Sequence, residues 1–191
     1  MKDPSITIKR LRMDARAARR SMSSAERERA SRHVADCFLN SRYFLVSDTI
    51  ACYLSTWDEV DTSANIERAW SAKKRVFLPA ISAHGKMTFH ETLPGTAMTL
   101  NHFGLWEPVS GKVVDARDLD VVVTPLVAFD GERNRIGMGG GYFDRTFSFL
   151  RDRQHWLRPK LIGVAFSCQR VEKIPPNPWD IPVFRVFADS D

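Results

Sequence analysis

Residues 134–145 read NRIGMGGGYFDR, with four glycines in the five positions 137–141 and an arginine on either side. Glycine admits φ > 0 and lets a ligand approach the backbone closely, so successive N–H groups can turn toward one anion. A helix opening at Tyr142 adds free amides and the positive end of its dipole. Arg135 and Arg145 carry planar guanidinium forks that match phosphate oxygens. Asp144 places a carboxylate at the helix start, where a hydrated Mg²⁺ bridging phosphates can be held. No Gly-Lys-Ser/Thr closes the loop, and counting from Gly137 or Gly139 puts Tyr142 or Asp144 where the last glycine of a dinucleotide fingerprint belongs. A phosphate cradle and a tight turn are both open readings of the glycines, as are a metal ligand and a plain dipole partner for Asp144. Anion donors and a carboxylate together favour a metal–nucleotide site over either alone.

A second constellation is TWDEVDT, residues 56–62. Asp61 and Thr62 have work as helix caps, whereas Glu59 is not needed for that. A loop carboxylate accepts two hydrogen bonds from a guanidine-like amide edge such as that of a pterin ring; the competing reading is a solvated loop acid. Phe103 and Trp106 can stack on an aromatic ligand or pack in the core. Cys37, Cys52 and Cys168 are an odd number without CxxC spacing, so reduced and mostly buried thiols are expected rather than a disulfide framework or zinc site. The five histidines, at 33, 84, 90, 102 and 155, form no HxxxH or HxH pair.

The elements that must position these residues read as one α/β domain spanning 1–191, a three-layer arrangement with a mostly parallel sheet between helices. Arg12, Arg16 and Arg19 or Arg20 recur at helical spacing over about 7–20, and Ser23 with Glu26 forms a capping box for a second helix reaching about Asn40. DTIACYLS, RVFLPA, LDVVVTP and PKLIGVAF are continuous apolar runs, as strands buried on both faces require. KMTFHET suits a strand near an edge, TLNHFGLWEPVSGK is irregular, a helix is expected from about 141 to 150, and VFRVFA is a last strand. The glycine loop follows the central strand, where parallel sheets bind ligands. Lys9 to Arg32 carries nine basic residues against three acids, so the chain's net +5 resides there. Such a patch faces a polyanion or is a solvated helix face. The start MKDPSITIKRLR has no apolar signal core and no run approaches a membrane span, so a cytoplasmic protein without a membrane partner is expected.

TPLVAFDGERNRIGMGGGYFDR, together with the basic helix ending its first turns in LR, YLSTWDEVDT, KRVFLPAI, GLWEP and NPWDIP in this order, resembles the 5-formyltetrahydrofolate cyclo-ligase family, also called 5,10-methenyltetrahydrofolate synthetases. The likeness runs over nearly the whole chain. It implies a three-layer α/β fold, ATP as co-substrate with Mg²⁺, and a small-molecule folate substrate handled by a monomer without nucleic acid. It further implies phosphoryl transfer onto the formyl oxygen followed by ring closure, with catalysis by Arg135, Gly139, Gly140, Gly141 and Tyr142. The nucleotide falls to Lys9, Arg12, Arg135, Ile136, Gly137, Met138, Gly139, Gly140, Gly141, Tyr142, Phe143 and Arg145. The folate falls to Arg12, Glu59, Trp106, Met138, Gly139, Gly140, Gly141 and Tyr142, and the metal to Asp144, with Asp180 left unassigned.

Three positions depart from the family pattern. Ile8 stands where members often have lysine, with Lys9 adjacent as a substitute; Gly140 stands where some have lysine; and Phe184 stands where some have a second metal-binding aspartate. Arg16, Arg19 and Arg20 are expected to be plain surface charge. The other function classes are a nucleic-acid binder using the basic patch, which lacks interleaved aromatics before Phe38, and another phosphate-ligand enzyme on a related scaffold, which leaves Glu59 unexplained.

Overall fold

The structure, a computed structural model, describes residues 4–82, 84–152 and 157–191, with side chains from Thr7 onward. Two helices, α1 (Pro4–Ser21) and α2 (Ser24–Leu39), and a short turn of helix α3 (Arg42–Leu45) precede the sheet. Between α1 and α2, Ser23 N–H donates to Glu26 Oε2 at 2.7 Å while Glu26 N–H donates to Ser23 Oγ at 3.3 Å, the reciprocal capping box that the sequence predicts.

Seven strands form the main sheet, in the order β11 (Arg185–Ala188), β10 (Lys160–Ala165), β7 (Val121–Thr124), β1 (Thr49–Ala51), β2 (Arg75–Ile81), β3 (Met87–Thr92), β6 (Val113–Val114). The first five run parallel, and β3 and β6 add by antiparallel pairing. Alternate residues point to opposite faces of a strand, so each parallel strand feeds two cores. On one face Ile50, Val76, Leu78, Val121, Val123, Ile162 and Val164 pack with Val34 and Phe38 of α2 and with Ile66 and Ala69 of α4 (Ser63–Ser71). On the other, Ala51, Phe77, Val122 and Leu161 pack with Phe147, Leu150, Ile181 and Val183. Burial on both faces is why these strands read as unbroken apolar runs.

Several boundaries differ from the sequence reading. The stretch expected to be irregular holds a hairpin, β4 (Met98–Leu100) and β5 (Trp106–Pro108). Glu107 anchors it by accepting from the Ile81 N–H and the Asn101 amide, both at 3.1 Å, so the hairpin stands at the C-terminal end of β2. The helix expected over 141–150 is one α turn, α5 (Tyr142–Thr146), followed by a 3₁₀ turn at Ser148–Arg151. Its dipole is correspondingly small, so the free amides rather than the macrodipole are what it offers an anion. Thr62 precedes α4 without capping it; its hydroxyl donates to the Tyr53 carbonyl, and the Asp61 carboxylate accepts from the Ser63 N–H at 2.9 Å instead. Among the described residues no helix is long and apolar enough to cross a membrane.

Candidate active site

The glycine loop leaves a second small hairpin, β8 (Ala128–Phe129) with β9 (Arg135–Ile136). Asp130, almost fully buried, sets its turn. One oxygen accepts from the N–H groups of Glu132 (3.0 Å) and Asn134 (2.9 Å), and the other from the Asn134 amide (3.0 Å) and the Ile174 N–H (2.9 Å). Buried Gln169 donates to the carbonyls of Leu126 and Val127, both at 2.9 Å, fixing the segment before it. Neither residue is singled out by sequence reasoning; the Asp-Gly pair at 130–131 is the available signal, an Asx turn. From this support the loop projects Met138, Gly139 and Gly140 into solvent. Gly139 and Gly141 lie at φ 105° and 63°, where a side chain is strained.

The arginines divide into distinct tasks. Arg135 is turned inward, its side chain 5 % exposed, and pairs with Asp144 at 2.8 Å. Burial pulls its guanidinium below the ordinary value, and the carboxylates of Asp144 and Asp180 oppose that shift. Arg145 is exposed; it donates to the Gly140 carbonyl at 2.8 Å and lies 4.9 Å from the Tyr142 ring centroid. A Cβ on Gly140 would stand 2.8 Å from the Tyr142 ring, so a lysine there would displace that ring. Asp144 accepts with Oδ1 from both Arg135 and the Ile181 N–H (3.1 Å). Its Oδ2 has no protein partner among the described residues, which suits a metal ligand of the one-carboxylate-plus-phosphates kind. Among those residues there is no cluster of three metal-ligating side chains, and His155 lies outside them. Asp180 neighbours Ile181 but spends Oδ2 on Asn177, accepting from its N–H at 2.8 Å and its amide at 3.1 Å. The Phe184 side chain has no metal-ligating atom and packs on Tyr43 with ring centroids 5.7 Å apart.

Helix α1 joins this loop to the second constellation. Ile8, Leu11 and Ala15 seat it on Val127, Ala128, Ile136 and Ile174, so Ile8 is partly buried in packing and Lys9 is exposed. Arg12 Nε donates to the Gly137 carbonyl at 2.9 Å. At the other end Arg19, 2 % exposed, donates to Asp58 at 2.9 Å and approaches Glu59 Oε1 at 3.9 Å. Arg20 Nε reaches the same Asp58 oxygen at 3.4 Å. Arg19 is thus an interior ion pair, not surface charge. Burial pushes the Asp58 carboxyl up, but the Arg19 guanidinium and the Thr56 and Arg20 hydrogen bonds outweigh it and hold the group below the ordinary aspartate value. Glu59 itself is mostly sheltered and accepts from the Thr56 N–H at 2.9 Å. Spacing alone marks Arg19 only as one more cation; its burial depends on where the Asp58 loop lands.

Aromatic side chains rim the space. Phe103, Trp106 and Trp57 are all more than half exposed, so the core-packing reading of Phe103 and Trp106 does not hold. Phe103 meets the Tyr142 ring edge-on at 5.9 Å, which brings the β4–β5 hairpin to the glycine loop. A groove of about 630 Å³ continues past Tyr142 and Arg145, walled by Lys86, Phe89, Arg117 and Phe149. The thiols take no part in this site: Cys52 is buried with its pKa pushed up to about 12 by burial, Cys37 is half-buried and Cys168 exposed, fewer buried than expected.

Residues 6–189 match the model of the 5-formyltetrahydrofolate cyclo-ligase family. A 5-formyltetrahydrofolate cyclo-ligase of Haemophilus influenzae is 36% identical over 184 residues, covering 93% of this chain and 95% of its own. The Escherichia coli K12 enzyme of the same name is 36% identical over 183 residues, covering 92% and 96%. The solved structure of Aquifex aeolicus 5,10-methenyltetrahydrofolate synthetase superposes with a TM-score of 0.82 at 29% identity, over 96% of this chain and 90% of that one. The chain, with its glycine loop and Glu59 loop carried on one basic helix, belongs to the 5-formyltetrahydrofolate cyclo-ligase family.

Proposed function

We propose that this chain uses ATP to convert 5-formyltetrahydrofolate into 5,10-methenyltetrahydrofolate, ADP and phosphate. The observation that carries the reading, beyond family membership, is that one helix ties both constellations together: Arg12 bonds Gly137 at 2.9 Å, and Arg19 bonds Asp58 beside Glu59 at 2.9 Å. A folate whose pterin amide edge lies on Glu59 then presents its formyl group toward the glycine loop. The γ-phosphorus bond to ADP breaks, a P–O bond to the formyl oxygen forms, and ADP leaves. N10 attacks the formyl carbon and gives its proton to solvent, the C–O bond breaks, and phosphate departs. Positioning and charge neutralisation suffice for such steps, and no protein nucleophile is needed.

In this reading the N–H groups from Ile136 to Phe143, with Lys9, Arg12 and Arg145, hold the phosphates. Arg135 acts from below through Asp144. Met138, Tyr142 and Trp106 flank the folate rings, and Gly139 to Gly141 leave room for the reacting group. Asp144 Oδ2 would hold Mg²⁺ together with phosphate oxygens, and the metal would supply charge neutralisation there; Asp180 is left to its turn. The protein acts as a cytoplasmic monomer on small molecules. The burial of Arg19 against Asp58 removes one cation from any nucleic-acid face. The test is purified protein with 5-formyltetrahydrofolate, Mg²⁺ and ATP, followed by the methenyl chromophore and by ADP release. ATP-dependent formation of both is expected, and their absence at high enzyme concentration overturns the reading.

A further inference from the structure

Among the described residues, Arg16 is the member of the α1 arginine stripe whose side chain has no hydrogen-bond or ion-pair partner. Its Nε is buried and has no hydrogen-bond partner among the described residues, while the residue as a whole stays partly open. Helix geometry fixes where its side chain leaves the backbone. At about 100° per residue, Arg16 lies about 40° round the axis from Arg12, between Arg19 and Arg20. Those two bond the same Asp58 oxygen, and Arg12 bonds Gly137. Along the axis it sits about 6 Å from Arg12 and about 4.5 Å from Arg19, at a rise of about 1.5 Å per residue. The side chain therefore leaves the helix between the residue that bonds the glycine loop and those that bond the Asp58–Glu59 loop. A desolvated guanidinium edge without a partner is costly. It is explained if a ligand oxygen completes it. The group in that interval is the one that passes from nucleotide to folate, three oxygens with spread negative charge, for which a planar fork is the matching donor.

Resting on the cyclo-ligase reading, we infer that Arg16 is a catalytic residue: it donates to the oxygens of the phosphoryl group as this group leaves ADP and bonds to the formyl oxygen, between the nucleotide and pterin positions. It binds neither substrate strongly before transfer, because its partner develops only when the two meet. Its removal lowers kcat and spares the ground-state affinities.

The experiment compares wild type, Arg16→Gln, Arg16→Lys and the surface control Arg29→Gln. It measures kcat, both KM values, thermal midpoints and titrations of ADP and of 5-formyltetrahydrofolate. Arg16→Gln is expected to lose about 100-fold in kcat, the scale of one removed oxyanion donor, with both affinities within about 3-fold of wild type and an unchanged melt. Arg16→Lys retains charge without the fork and falls between, and added guanidinium ion raises the rate of Arg16→Gln but not of Arg29→Gln. An active wild type with unaltered kcat in Arg16→Gln overturns the assignment alone, as does a rise confined to the folate KM. An inactive wild type overturns the cyclo-ligase reading and this assignment with it.

Discussion

Arg135 and Asp144 show how one pair serves two ends. A guanidinium 5 % exposed needs a carboxylate at hand, and Asp144 supplies it with the same oxygen that accepts from Ile181. Asp144→Asn therefore removes more than the metal ligand of the proposed reading: it leaves a buried cation short of its counter-charge, a change that destabilises. We expect a loss of about 1–3 kcal/mol in urea unfolding together with loss of Mg²⁺-dependent turnover. Adding Arg135→Met should recover the stability and not the turnover; recovery of both would make Asp144 purely structural. Arg19 poses the opposite test. In the proposed reading it is a positioning residue, acting on the Glu59 loop through Asp58 and Glu59 rather than by contact with folate. Arg19→Gln is expected to raise the folate KM by about 10-fold, the equivalent of about 1.4 kcal/mol, leaving the ATP KM within about 2-fold. Arg19→Lys should restore part of the loss, and equal rises in both KM values would mark general unfolding of the site instead.

The parallel strands were legible because burial on two faces leaves an uninterrupted apolar string, and α2 because its capping box is local chemistry. The β4–β5 hairpin was not, since its pairing hangs on Glu107 reaching the end of β2, a contact that no sequence period encodes. The length of α5 was misread for a related reason: the apolar periodicity of 143–150 continues across the change from α to 3₁₀, with Phe147 and Leu150 both in one core. In the glycine loop, residue types suggest an anion site and do not show the division of labour among its arginines, which depends on which one the fold turns inward. The loop's shape leads to a prediction at Gly141. Its φ of 63° disfavours any side chain, and a Cβ there would stand 2.9 Å from Arg145 Nη1, which holds the Gly140 carbonyl. Gly141→Ala should cost about 1 kcal/mol of stability and disproportionately more in kcat as the loop amides shift. An unaltered kcat with the expected loss of stability would separate loop geometry from turnover.

Two carboxylates brace the molecule at opposite ends of its parallel sheet. Asp58 ties α1 to the loop beyond β1, at the C-terminal end of that strand. Asp120 lies just before β7, where one oxygen accepts from the N–H groups of Asp48 and Thr49, both at 3.0 Å, and from the Thr49 hydroxyl at 2.9 Å. Its other oxygen takes Arg158 at 2.6 Å, just before β10, so one side chain joins three strand starts. Burial pushes the Asp120 carboxyl up, yet the Thr49 and Asp48 N–H groups and the Arg158 and Thr49 side chains prevail and hold it below the ordinary value of 3.8. Asp58 is held below that value as well. A carboxylate depressed in the folded state binds its proton more readily when unfolded, so stability rises with pH in that window. The contribution of each is complete above about pH 5 and is lost as pH falls through 3.8 toward the lower folded value. Each group adds at most about 1.4 kcal/mol per pH unit to the slope. Asp120→Asn should consequently lower stability at pH 7 and flatten the dependence of unfolding free energy on pH below about 4, as read by urea melts at a series of pH values. Asp58→Asn should flatten the same window and also weaken folate binding at pH 7, whereas Asp120→Asn should leave folate affinity intact. A slope below pH 4 that is unchanged in either variant would show that its carboxylate is not held low by the folded chain.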